Sequence, residues 1–133
     1  MFTGIIEEVG SISEIKHIAG GYKIKITIKN ILDDISVGDS LALDGVCLTV
    51  TQMDNSGVWV DAVGETLEKT TLNFISERNF VNVERSLRLS DRLGGHIILG
   101  HVNGIGEITQ IIRRGDNYYL EILLRKERRL QCC

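Results

Sequence analysis

The sequence predicts an all-β protein: a small closed barrel of six short strands, followed by the first strands of a second, similar unit. Three observations carry this expectation. Apolar and polar residues alternate with period two through most of the first ~85 residues, as half-buried strands require. Turn-forming stretches such as Asp44-Gly45 interrupt the alternation at short, even spacing. The opening of the chain is then echoed 96 positions later, so the sequence starts over near residue 97.

Taken in order, "VGSISEI" (9–15) alternates loosely, with Val9, Ser11, Ser13 and Ile15 on one face and Gly10, Ile12 and Glu14 on the other. "YKIKITIK" (22–29) alternates cleanly: Tyr22, Ile24, Ile26 and Ile28 oppose Lys23, Lys25, Thr27 and Lys29. "DSLALDG" and "VCLTVTQM" flank Asp44-Gly45 and read as a hairpin. "NSG" (55–57) turns the chain into "VWVDAV", and "FVNVER" completes the set. Only "GETLEKTTLNFI" has helical character, and only for a turn or two, because Thr70 and Thr71 are β-branched. Many short strands with glycine turns favour closure, which removes the exposed edges of an open sheet.

Composition narrows the class. Hydrophobic residues make up 43% and charged residues 25% of 133 residues, enough for one domain, or one small domain plus part of another. The net charge of −3 argues against a nucleic-acid or acidic-membrane surface. The cluster Arg125, Lys126, Arg128 and Arg129 reads as a solvated tail. No run approaches the ~20 apolar residues of a membrane span, and "MFTGIIEEVG" lacks the pattern of a signal peptide, so a cytoplasmic location is expected. Cys47 stands alone and Cys132 and Cys133 are adjacent, which is no disulfide framework. His17, His96 and His101 show no spacing with the cysteines that would hold a metal.

Sliding the N-terminus forward by 96 places Gly4 on Gly100, Gly10 on Gly106, Ile12 on Ile108, Ile15 on Ile111, Tyr22 on Tyr118 and Ile26 on Ile122. A register held this long predicts one repeated structural unit. "SDRLGG" (90–95) is the expected boundary, giving a first barrel over 1–90 and the start of a second over 91–133. The second copy carries only two strands of the pattern, too few to bury a barrel core, and "KERRLQCC" departs from the first copy. The second barrel is therefore expected to be incomplete.

Few residues offer chemistry. Cys47 lies mid-strand in "GVCLTV" and is either a small buried residue or a functional thiol. Thr49 shares its face. Ser40 either simply starts a strand or offers its hydroxyl to the same cavity. "DAVGET" (61–66) either opens a helix or presents backbone amides to a planar polar ligand. His101 stands where the first copy has Ile5, so it is either a hydrogen-bonded structural histidine or a proton carrier near neutral pH. His96 reads as a turn residue and His17 as solvated.

The stretches "MFTGIIEE", "GDSLALDGVCLTV", "ETLEKTTL", "VNVERSLRLSDRLGGH" and "GHVNGIGEI" resemble the bacterial riboflavin synthase α-chain family, in family order and spacing, from residue 1 to about 122. The resemblance implies tandem six-stranded Greek-key barrels in a homotrimer, with association with lumazine synthase. It implies dismutation of two 6,7-dimethyl-8-ribityllumazine molecules by four-carbon transfer, giving riboflavin and a ribitylamino-pyrimidinedione, without metal or cofactor. Its ring contacts map onto Gly4, Ile5 and Ile6; onto Cys47, Leu48 and Thr49; onto Asp61, Ala62, Val63, Gly64, Glu65 and Thr66; and onto Gly100, His101 and Val102. Phe2 and Thr3 fall at the same entrance. Ser40, Cys47 and His101 are the groups expected to assist proton transfer or addition. The family's second "SLTV"-type strand, second "ETL" segment and C-terminal helix have no match in this sequence, so the chain as written is expected to bind ligand but turn over poorly. A lumazine- or flavin-binding antenna protein is the alternative, and a nucleic-acid-binding barrel a distant third.

Overall fold

A computed structural model describes residues 1–124. Its first unit is a closed antiparallel barrel of six strands: β1 (Glu8–Ile18), β2 (Gly21–Thr27), β3 (Ser40–Leu43), β4 (Val46–Asp54), β5 (Gly57–Val63) and β6 (Phe80–Arg85), arranged β1-β2-β5-β4-β3-β6 and closed by β6 on β1. Strands joined by short turns pair directly. β2 also pairs with β5 and β3 with β6, so the longer β2-to-β3 and β5-to-β6 connections cross the barrel; they include 3-10 turns at Leu32–Asp34 and Thr71–Phe74 and one five-residue helix, α1 (Glu65–Lys69). Among the described residues the one α-helix lies within the stretch expected to be helical, the 3-10 turn at Leu32–Asp34 was not expected, and Thr70 ends α1 by taking up extended backbone.

The alternating residues supply the core. Ile24, Ile26 and Ile28 point inward, joined by Leu41 and Leu43 from β3, Leu48 and Val50 from β4, Val58, Val60 and Ala62 from β5 and Val81 and Val83 from β6. Leu32 and Leu72, from the two 3-10 turns, complete it. The β3–β4 turn has Asp44 and Gly45 both at positive φ (47° and 82°), the type I′ geometry whose twist suits a two-residue hairpin.

β1 departs from simple alternation. Ile12 pairs with Ile26, but the next pairs are Glu14 with Lys25 and Ile15 with Ile24, so one extra residue enters at a β-bulge. The bulge resets the phase and brings Ile15 onto the same side as Ile12, where it packs on the core. A strict period of two puts these residues on opposite faces, and that expectation is corrected here.

The chain after β6 returns to the start of the molecule. Phe2 and Ile98 form an antiparallel bridge, with the Phe2 N–H donating to the Ile98 carbonyl (2.7 Å) and the Ile98 N–H to the Phe2 carbonyl (2.9 Å). The first compact unit accordingly runs from Met1 to Val102, and the second begins at Asn103. Residues 91–102, grouped with the second unit on sequence grounds, lie with the first because backbone bonds tie them there.

The described part of the second unit is one hairpin, β7 (Gly106–Arg114) with β8 (Asn117–Leu124). Its pairings match those of β1–β2 shifted by 96 throughout: Ile108 pairs with Ile122 as Ile12 does with Ile26, and the bulge recurs between Ile108 and Gln110. All residues of both strands are exposed. Among the described residues no helix is long and apolar enough to cross a membrane.

Candidate functional site

The strand register gathers several of the candidate residues on the outside of the barrel. Ser40 pairs with Thr49 and Ala42 with Cys47 across β3 and β4, while Leu41, Leu43, Leu48 and Val50 between them fill the core. Directly opposed residues share a face, so Ser40, Cys47 and Thr49 all look outward. Thr49 is exposed, and Ser40 and Cys47 are half-buried. Along the same face, Thr51 at the β4 bulge donates its hydroxyl to the Trp59 carbonyl (3.3 Å) and the Asp61 carboxylate (3.4 Å).

Gly100 is laid on this surface. Its carbonyl accepts a hydrogen bond from the Cys47 N–H at 2.9 Å. Its backbone sits at φ +77°, and a Cβ there would fall 2.7 Å from the Cys47 Cβ and 3.1 Å from the Phe2 ring. Both facts require glycine. His101 follows directly and is exposed, and Val102 packs on the core cluster. Cys47, with its neighbours Ser40 and Thr49, and Gly100, with His101, are thus brought together from sequence positions about 50 apart.

The "DAVGET" segment ends β5 and opens α1. Gly64 (φ +49°) makes the bend; its N–H donates to the Gly20 carbonyl (3.2 Å), and its carbonyl accepts from Leu67 and Glu68. Glu65 and Thr66 are the first residues of α1, where backbone N–H groups have no partner within the helix. The Lys69 ammonium beside Glu65 holds its carboxyl below the ordinary range. Val63 is exposed, but Ala62 is fully buried, as are nearly all of Leu48 and Phe2. Leu48 and Ala62 pack the interior and the Phe2 ring is buried beside Gly100, so little more than the backbone of these three remains to meet a ligand.

Of the N-terminal candidates, Phe2 lies beside Gly100, and Thr3 and Gly4 are held by Glu84. The Thr3 N–H, the Thr3 hydroxyl and the Gly4 N–H all donate to Oε1 of Glu84, at 2.6, 2.8 and 3.0 Å. Gly4 is at φ +82°, and Ile5 and Ile6 are exposed. Thr3, Ile5 and Ser40 line a cavity of about 390 Å³ together with Glu7, Asp34, Arg85 and Arg88 among others; Cys47, Thr49 and His101 do not line it. Arg85 pairs with Glu7 (2.6 Å) and with Asp34, which also meets Arg88. The Arg85 guanidinium pulls the Glu7 carboxyl below its ordinary value. Sequence reasoning missed Glu84 and this ion-pair cluster; the one available signal was a run of charges, "ERSLRLSDR", at the end of a strand. Among the described residues no group of His, Cys, Asp or Glu is placed to hold a metal ion.

Comparison with known proteins assigns the family. The lumazine binding domain model matches residues 3–86. The chain belongs to the lumazine-binding domain family. It is 39% identical over 127 residues to the riboflavin synthase of Bacillus amyloliquefaciens and 42% over 124 residues to that of Bacillus subtilis (strain 168), covering 96% and 92% of this chain. It spans 59% and 57% of those two relatives, a little over half of each. Among solved structures it resembles LumP complexed with 6,7-dimethyl-8-(1'-D-ribityl) lumazine, with a TM-score of 0.85, 25% identity, and coverage of 96% of this chain and 71% of that one. LumP complexed with riboflavin aligns with a TM-score of 0.84 at the same identity, over 95% of this chain and 68% of that one. The six-stranded barrel is thus the lumazine-binding fold.

Proposed function

We propose that the first barrel binds one 6,7-dimethyl-8-ribityllumazine or riboflavin on the outer face formed by Cys47, Thr49, Asp61 to Thr66 and Gly100 to Val102, in the service of riboflavin synthase chemistry. The Gly100–Cys47 backbone bond carries the reading, because it ties the residue before His101 to the strand that bears Cys47 and Thr49. Ring carbonyls would be met by the Thr49 hydroxyl and the open amides of Glu65 and Thr66, and Leu48 and Ala62 would contribute backbone only. The riboflavin synthase relatives and the ligands in the LumP structures support this choice of ligand.

The proposed reaction is transfer of a four-carbon unit between two lumazines. The C7 methyl of the ring is acidic because its carbanion delocalises, so the protein's main task is to hold two rings face to face and move protons. His101 is the proposed proton carrier, with Cys47 and Ser40 as the groups placed for addition or hydrogen bonding. The 96-residue offset shared by the sequence and by the β1–β2 and β7–β8 pairings supports a tandem repeat, with the first barrel taken as 1–90 on sequence pattern or to Val102 on contacts. A trimer, association with lumazine synthase and a cytoplasmic location are parts of the same proposal, drawn from the family resemblance.

One barrel is one ring site, and dismutation needs two. We therefore expect the first barrel by itself to bind ligand and to turn over poorly. Titrating it with riboflavin while following flavin fluorescence tests binding, and incubating it with the lumazine while following riboflavin absorbance tests turnover. Absence of any complex would refute the binding proposal, and full specific activity would refute the one-site expectation. A stable fluorescent complex without product would favour a non-catalytic antenna role.

A further inference from the structure

We infer that Glu84 is the positioning residue that holds the His101 segment over Cys47. Glu84 is 5% exposed, and among the described residues it has no ion-pair partner. A buried carboxyl group must have hydrogen-bond partners, and Glu84 takes three from one short segment: the Thr3 N–H, the Thr3 hydroxyl and the Gly4 N–H. Bonds to a charged acceptor are stronger than neutral ones. The grip on Thr3 and Gly4 passes directly to residues 96–98. Thr3 accepts from the His96 N–H (3.1 Å), and Phe2 exchanges two backbone bonds with Ile98.

The strand register shows why one carboxylate can do this. Glu84 pairs with Ala42, and Ala42 pairs with Cys47, so the three form a row across β6, β3 and β4. The N-terminal segment is fixed at the Glu84 end of that row and Gly100 at the Cys47 end. Gly100 itself is tied there by one backbone bond and its close packing on Cys47. Without Glu84, the 96–101 segment keeps its own bond to Cys47 but loses the anchored partner strand beside it. Glu84 acts on the proposed ligand face only through this segment, and the ligand part of the inference rests on the function proposed above.

The reactivity of Cys47 reports the segment's position without any ligand. In a Cys132→Ser, Cys133→Ser background, iodoacetamide should modify Cys47 about tenfold faster when Glu84→Ala is added, the scale of losing hydrogen bonds to a charged acceptor. Riboflavin affinity should fall by a similar factor. Glu84→Gln should restore much of both, because the amide oxygen can accept the same bonds. If Glu84→Ala does not fold, Thr3→Val removes one of the three donors and should raise the Cys47 rate by a smaller factor. Unchanged thiol rates in the folded variants, or a Glu84→Gln protein as impaired as Glu84→Ala, would overturn the inference. Thiol rates in the expected order together with no riboflavin binding by the parent chain would support the positioning role and refute the ligand reading.

Discussion

Gly100→Ala separates backbone strain from close packing at the proposed site. The residue sits at φ +77°, where an L-residue costs about 1–2 kcal/mol. The new methyl would also stand 2.7 Å from the Cys47 Cβ, against a carbon–carbon optimum of about 3.5–4.0 Å. Overpacking of that kind costs about 1–3 kcal/mol. The sum is about 2–5 kcal/mol. Gly20 provides a matched control: its φ is also +77°, but nothing lies within 4 Å of its built Cβ. Gly20→Ala should therefore show the strain alone, about 1–2 kcal/mol. Urea unfolding followed by Trp59 fluorescence measures both. Riboflavin titration should show weaker binding for Gly100→Ala and none of that loss for Gly20→Ala. Equal stabilities and equal affinities for the two variants would refute the claim that Gly100 is packed on Cys47.

Three further outcomes follow from the geometry. If His101 carries protons, His101→Gln should slow protein-accelerated deuterium exchange of the lumazine C7 methyl by about 10²–10⁴-fold, read by NMR, with affinity nearly unchanged. Glu7 is held below its ordinary value of 4.5 chiefly by its hydrogen bonds to Arg85. The stability it contributes is therefore present above pH 4.5 and lost as the pH falls below it. The pair is partly exposed, so the effect should not exceed about 1 kcal/mol, and Glu7→Gln should flatten the acid limb of urea midpoints measured from pH 7 to pH 3. Leu43 is fully buried, so Leu43→Ala should cost about 2–5 kcal/mol in the same unfolding assay.

The sequence made the strands legible because one face of each is buried. Ile24, Ile26 and Ile28 cannot alternate with lysines for any other structural reason, and Asp44-Gly45 names its own turn. The β1 bulge was not legible: Ser13 and Glu14 suit either face, and only the cross-strand partners Lys25 and Ile24 show where the phase slips. Glu84 escaped notice for a related reason. On an outward strand position a glutamate looks solvated, and its partners Thr3 and Gly4 lie 81 and 80 residues away. The meeting of Cys47 with Gly100 was legible only through family resemblance, since nothing in the spacing of these residues implies contact.

The chain's own organisation yields a last prediction. Phe2 and Ile98 occupy equivalent positions under the 96-residue offset, and they are the two residues that bridge. Gly4 and Gly100, also equivalent, both sit at positive φ, at 82° and 77°. Two copies of one segment therefore meet side by side, and the one bearing His101 covers Cys47 in the first barrel. A boundary at residue 90, which sequence pattern favours, would cut this covering segment away; a boundary at Val102 would keep it. A chain ending at residue 90 retains every strand of the barrel and should still unfold cooperatively. It should nevertheless lose the Gly100 bond and the bridge to Phe2, expose Cys47 to alkylation and bind riboflavin far more weakly than a chain ending at Val102. Equal affinities would mean that the ligand face is complete within β1–β6 and that His101 stands outside it.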